Sequence, residues 1–226
     1  MLDDSELRNV MIGLLRTKSA RSKQRKIGAS GIGDPCAYCL CRTLSMALVS
    51  EPTEEKDSPY WLGAKIGDAV HALLEHEASK HLNDDEGMFK VFNGARLEQA
   101  VYIGEIPGYG SIWSTPDLFL TAENHLVDYK TSKRSKVDYY KATGELPTKY
   151  LYQVQLYARA LDDMGIQVDK ISFVFINRDG TSDRDVVVFS VDYDRELADK
   201  AWDRVVSAWE WVQIVTGKRR SWCVQS

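Results

Sequence analysis

The sequence has no long apolar run, no surplus of positive charge, no internal repeat and few cysteines, and each absence removes a class of protein. The stretch 171–176 is among the longest apolar runs and falls far short of the ~20 residues that span a bilayer. The opening Met1-Leu2-Asp3-Asp4 is acidic and lacks the basic-then-apolar order of a signal peptide, so a soluble cytoplasmic protein is expected. Net charge is −4, from 29 basic and 33 acidic residues, which excludes a basic nucleic-acid coat. Four cysteines in such a chain do not read as a disulfide framework. No Gly-x-x-x-x-Gly-Lys-[Ser/Thr] string is present, so the chain has no recognisable helicase motor.

What is present is ordinary globular composition, 44% hydrophobic and 27% charged over 226 residues, enough for one large domain. Charge is locally uneven. Arg16, Lys18, Arg21, Lys23, Arg25 and Lys26 fall within eleven residues, and Lys130, Lys133, Arg134 and Lys136 form a second cluster. Screening confines each field to about 10 Å, so such patches can bind phosphate on an acidic protein; they read equally well as a solvated arm and a solvated loop.

Hydrophobic spacing predicts helices over 3–16, 38–49, 60–81, 148–163 and 194–216. Strands are expected at about 97–104, 112–120, 125–131, 171–176 and 185–191. The order αα–βββ–α–ββ–α implies a single α/β domain with a mixed sheet. Its parts are an N-terminal extension over 1–58, a core over 59–192 and a C-terminal helix and tail over 193–226.

The chemistry concentrates in Pro116-Asp117 and, after ten intervening residues, Asp128-Tyr129-Lys130. Two carboxylates at the ends of neighbouring strands can hold hard cations through oxygen. Strand side chains have period two, so Asp128 and Lys130 share a face and the lysine stands beside the cation site. Such a cation lowers the pKa of bound water and neutralises charge on a phosphate. Alone, Asp…Asp-x-Lys also fits a solvated strand face. Two helices add to it: His71 lies four residues before Glu75, and Gln153 four before Tyr157, each pair on one helical face. A hydrogen-bonded structural histidine and an amphipathic core edge are the plain readings of these pairs taken singly.

Taken together, Gly67-x-x-x-His71-x-x-x-Glu75, Pro116-Asp117, Asp128-Tyr129-Lys130-Thr131-Ser132 and Gln153-x-x-x-Tyr157 resemble the RecB-like branch of the PD-(D/E)xK nuclease superfamily. The resemblance implies a restriction-endonuclease-like α/β core with a mixed central sheet flanked by helices. It implies a metal-dependent DNA exonuclease using Mg²⁺ or Mn²⁺, with His71, Asp117, Asp128 and the Tyr129 carbonyl as metal ligands. Asp117, Asp128 and Lys130 become catalytic, with Gln153 and Tyr157 supporting the site and the DNA. Small stand-alone members resemble phage recombination and CRISPR-associated iron–sulfur exonucleases, in which a 4Fe–4S cluster is held by four cysteines. That likeness assigns Cys36, Cys39, Cys41 and Cys223 to such a cluster, with zinc as the lesser choice, although the three-before, one-after split reverses the family's pattern; buried thiols without a ligand are the plain reading. It also gives Arg42, Lys133, Arg134 and Lys136 to DNA. The expected partners are DNA with a free end and a separate helicase or recombinase, in the host cytoplasm if the gene is a phage's. The alternative is a DNA-binding scaffold or subunit with an unused nuclease fold.

Overall fold

The computed structural model describes residues 8, 10–12, 27–46, 48 and 61–217. The expected N-terminal helix over 3–16 lies mostly outside them, with its described residues 8 and 10–12 helical, and the first basic cluster and Cys223 lie outside them altogether.

A five-stranded sheet forms the centre. Its strands are β1 (Arg96–Leu97), β4 (Leu118–Leu120), β5 (His125–Ser132), β6 (Lys170–Asn177) and β7 (Val186–Val191), in the order β1-β4-β5-β6-β7. Only β5 and β6 run parallel; the other pairs are antiparallel. The parallel pair requires a crossover, which consists of α4 (Arg134–Thr143) and α5 (Thr148–Asp163). Strands β2 (Val101–Ile106) and β3 (Gly110–Ser114) form a separate hairpin. The remaining helices are α1 (Ala29–Ile32), α2 (Ala37–Met46), α3 (Trp61–Ser79) and α6 (Arg195–Val215).

Helices cover both faces of the sheet. One face presents Leu126, Ile171, Phe173 and Phe175, all fully buried in the main core with α5, α6, α1 and the hairpin. The other presents Leu118, Val127 and Tyr129, packed against Leu74 of α3, Phe92 and Leu97 in a smaller core. Helix α5 is buried continuously from Tyr152 to Leu161, which makes it the central helix of the larger layer. This is the mixed α/β core with flanking helices that the motifs imply.

Three expectations are corrected, the first being the strand over 97–104, which is split between β1 of the main sheet and β2 of the hairpin. The strand expected over 112–120 is two strands: the chain breaks at Thr115–Pro116, so β3 pairs with β2 while β4 joins the main sheet. Proline has no N–H to donate to a ladder, which is why a strand ends there. The basic stretch after Lys130, read as a phosphate-binding patch or a solvated loop, contains α4, whose Val137 and Tyr140 are buried.

A tightly bonded turn joins β6 to β7. The Asp185 carboxylate accepts hydrogen bonds from Asn177 Nδ2 (3.0 Å), Thr181 N (2.9 Å) and Ser182 N (3.2 Å), and pairs with Arg134 Nη2 at 2.7 Å. The Asn177 bond leads in holding this carboxyl down to about 2 against an ordinary 3.8. Because the folded value is the lower one, the stabilisation is present above about pH 4, shrinks as pH falls and is gone below about pH 2. An acid titration followed by circular dichroism should therefore lose stability across that window. Asp185→Asn should flatten that part of the curve; parallel curves for the two proteins would contradict the role given to Asp185.

Candidate active site

Strand register brings the acidic residues together. Leu97 pairs with Leu118, and Leu118 with Val127. One step further along the same antiparallel ladders puts Glu98 beside Asp117 and Asp117 beside Asp128, so two acids just beyond the ends of β1 and β4 form a row with one inside β5. The first link is observed directly, Glu98 N donating to the Asp117 carbonyl at 3.1 Å.

Asp117 is bonded from two sides. Its Oδ2 accepts from the backbone N–H of Tyr129 at 2.7 Å, and its Oδ1 lies 3.1 Å from His71 Nδ1. His71 reaches it from α3, with its ring edge-on to Tyr129, centres 5.8 Å apart. The position of α3 depends on Gly67, where an added Cβ would sit 3.1 Å from Thr131 Oγ1. Burial pulls the His71 pKa down, but the Asp117 hydrogen bond and the charges of Asp117 and Asp128 prevail, so it is raised.

Asp128 is 1% exposed. Its Oδ2 lies 2.5 Å from Lys130 Nζ, yet makes no hydrogen bond of acceptable geometry. Burial, aided by Asp117, pushes its carboxyl up to about 6 despite the opposing Lys130 and His71. The Lys130 ammonium is thus the cation that faces this closed-off carboxylate.

Lys130 is held on the other side by α5. Its Nζ donates to Gln153 Oε1 (3.2 Å) and sits 5.0 Å from the Tyr150 ring centre. Gln153 Nε2 in turn donates to Tyr157 Oη at 2.9 Å, which also accepts from Ser114 Oγ at 3.4 Å. Ser114 Oγ accepts from Ala29 N at 3.3 Å. The chain of contacts thus runs from the lysine to the start of α1. Burial first, then the Asp128 charge, raises the Tyr157 pKa, so its hydroxyl stays protonated.

His71, Asp117, Asp128, Lys130, Gln153 and Tyr157 therefore lie in one connected cluster. Glu98 belongs with them, although spacing did not mark it. Ligand atoms of His71, Glu98 and Asp117 all lie within 4.8 Å of one another. Glu98 takes a left-handed conformation, φ 46°, which is uncommon for a non-glycine residue. It lies in the irregular link between β1 and β2, where periodicity carries no signal; only the row across the ladders reveals it. Carboxylate oxygens with one imidazole nitrogen suit Mg²⁺ or Mn²⁺, and His71, Glu98 and Asp117 supply that donor set.

The cysteines are divided. Cys36 Sγ accepts from Cys39 N at 3.2 Å, and ligand atoms of Asp34, Cys36 and Cys39 lie within 4.8 Å of one another. Cys41 lies two residues further along α2, about 200° round the helix from Cys39, and its thiol faces the Ala208 carbonyl of α6 at 3.8 Å. A 4Fe–4S cluster takes four thiolates; the described residues bring two of the four together with a carboxylate, and Cys223 lies outside those residues. Among the DNA candidates, Arg42 is exposed on α2, Lys133 precedes α4, Lys136 is exposed on it, and Arg134 is already paired with Asp185.

No protein-family model matches the sequence, and no curated protein matches it. Among solved structures the fold is shared with exonucleases. The chain is similar to an alkaline exonuclease from Laribacter hongkongensis, LHK-Exo, at 13% identity and TM-score 0.57, over 88% of this chain and 93% of that one. It is also similar to LHK-Exo in complex with dAMP, at 14% identity and TM-score 0.53, over 87% and 96%. A phage-related exonuclease from Haemophilus somnus 129PT matches at 13% identity and TM-score 0.52, over 85% and 96%.

Two measurements check this geometry. Mn²⁺ should raise the melting temperature of the wild-type protein, since a ligand that binds only the folded state stabilises it, and Asp117→Ala should remove most of that rise. Tyr157→Phe leaves Gln153 Nε2 and Ser114 Oγ without an acceptor, at a cost of about 1–3 kcal/mol in urea unfolding; an unchanged unfolding free energy would contradict these two bonds.

Proposed function

We propose that this protein is a metal-dependent deoxyribonuclease, more an exonuclease than an endonuclease, acting on DNA ends in recombination, repair or end resection. One observation carries the reading. Asp117 is bonded by both His71 and the Tyr129 amide, beside a buried Asp128–Lys130 pair that a glutamine and a tyrosine hold from α5. The fold supports it, being shared with two proteins described as exonucleases, one of them also solved with dAMP.

His71, Glu98, Asp117, Asp128 and the Tyr129 carbonyl are the groups that would hold Mg²⁺ or Mn²⁺. When bound, the metal lowers the pKa of a coordinated water and neutralises charge growing on the phosphate. The protein's own residues do the positioning. The Asp117 carboxylate cannot swing, because His71 and the Tyr129 N–H fix both of its oxygens. Lys130 is fixed by Asp128 on one side and Gln153 on the other, so its ammonium is pre-set to donate to the attacking water and the phosphate oxygens. The proposed reaction uses none of the cysteines. The rival reading, a DNA-binding scaffold, leaves unexplained why Asp117, Asp128 and Lys130 are all intact and in contact. A helicase or recombinase working beside it in the cytoplasm is part of the proposal; no helix among the described residues is long and apolar enough to cross a membrane.

Incubation of linear and closed circular DNA with Mg²⁺ or Mn²⁺ tests the reading. Loss of the linear form alone is expected. Cleavage of both would make the protein an endonuclease, and cleavage of neither would return the scaffold. Lys130→Ala should lower kcat by about 10²–10³-fold, the usual effect of deleting a pre-set transition-state donor. Its Kd for DNA should stay close to the wild type's, and normal cleavage by this variant would refute the assigned role.

A further inference from the structure

Arg178 directly follows β6, and its N–H donates to the Ser132 carbonyl at 2.9 Å, so it stands at the C-terminal ends of the two parallel strands. Lys130 lies two residues before Ser132 on β5, and Lys130 pairs in register with Phe175. Among the described residues the Arg178 guanidinium has no carboxylate partner, and the residue is exposed. This contrasts with Arg134 on the same edge, whose charge Asp185 already meets.

The guanidinium is nevertheless placed. It lies against α3 at Gly63, where an added Cβ would overlap Arg178 Nη1. Gly63, Gly67 and His71 follow one another at four-residue intervals along one face of α3. Gly67 faces Thr131 and His71 binds Asp117. A glycine inside an exposed helix costs about 1 kcal/mol relative to alanine, and at position 63 the missing Cβ makes room for this one side chain. The turn that carries Arg178 is pinned by the hydrogen bonds to Asp185. An unpaired cation is thus held by a rigid turn and a helical gap, about 12 Å along α3 from His71, eight residues at 1.5 Å each. Phosphates on one strand recur every ~3.4 Å of duplex axis, so that separation corresponds to a few nucleotides.

We propose that Arg178, cradled by Gly63, is a subsite for a backbone phosphate of DNA a few nucleotides from the scissile bond. The proposal rests on the nuclease reading above and adds to it how the strand is held in line with the metal site. Arginine suits this task because its planar fork can meet two phosphate oxygens at once. The contact is with the backbone, so it positions the strand and carries no sequence information.

The test measures binding of a short linear DNA duplex in EDTA, between about 50 and 200 mM salt, and kcat and KM with Mn²⁺. Arg178→Ala should raise Kd and KM about tenfold, reduce the slope of log K against log salt by about one, and leave kcat and the melting temperature near the wild-type values. Arg178→Lys should keep most of the salt slope and recover part of the affinity. Gly63→Ala should displace the guanidinium and weaken binding likewise, while the double variant Gly63→Ala/Arg178→Ala binds no worse than Arg178→Ala alone, the signature of two residues acting through one contact. Unchanged Kd and salt slope in Arg178→Ala, a loss confined to kcat, or multiplying effects of the two substitutions would each overturn the subsite. If the wild-type protein degrades DNA and Arg178→Ala matches it, the subsite falls and the nuclease reading stands. If the wild-type protein neither binds nor degrades DNA, both fall.

Discussion

A carboxylate shut away from water governs this structure. Asp128 sits in the middle of the sheet, between the buried Leu126 and the partly buried Lys130 on one face. Burying a charge there is costly unless a cation and hydrogen bonds compensate it. Lys130 supplies the cation, and its own position then depends on Gln153 and Tyr150, which lie on the most deeply buried helix. Tyr157 and Ser114 extend the dependence to the hairpin and the N-terminal segment. The larger core can thus be understood as the housing that keeps one charged pair in a fixed geometry.

The smaller core serves the other half of the site. Val127 and Tyr129 turn away from Asp128 and pack under α3, which sets the height of His71 over Asp117. The alternation of β5 therefore sends Leu126, Asp128 and Lys130 to one layer and Val127 and Tyr129 to the other, and each layer delivers its own helix to the site. Arg159, buried in α5, ties this helix to the Ile103 carbonyl of the hairpin at 2.8 Å and to Asp199 of α6 at 3.2 Å. These bonds limit the freedom of α5 to shift along the sheet.

Much of this arrangement was legible in the sequence, for reasons that differ by residue. Helices 61–79, 148–163 and 195–215 declare themselves because their apolar residues recur at helical spacing over many turns. Asp117, Asp128 and Lys130 are legible as a motif, and Gln153 and Tyr157 as an i,i+4 pair. Glu98 was not, because nothing local marks an acid in an irregular link; its position follows from ladder pairings that only the folded sheet defines. Helix α4 was hidden for another reason. Its first turn is rich in lysine and arginine, and only Val137 and Tyr140 signal a buried face. The parting of Cys41 from Cys36 and Cys39 is a matter of helical phase: close spacing in sequence suggested one group, and the helix turned the third thiol toward α6.

The parallel pairing of β5 with β6 has a consequence for how the protein comes to be active. Residues 132 and 170 are separated by the whole two-helix crossover, so this pairing is a non-local contact, of the kind that slows folding. The chemically important side chains come from four separated stretches, around 71, 98–117, 128–130 and 153–157, with none sufficient alone. A chain emerging from synthesis carries His71 and all three acids before α5 exists, yet Lys130 has no Gln153 to meet until the crossover closes. The site is therefore complete only once the crossover has closed, because the Lys130–Gln153 contact spans it.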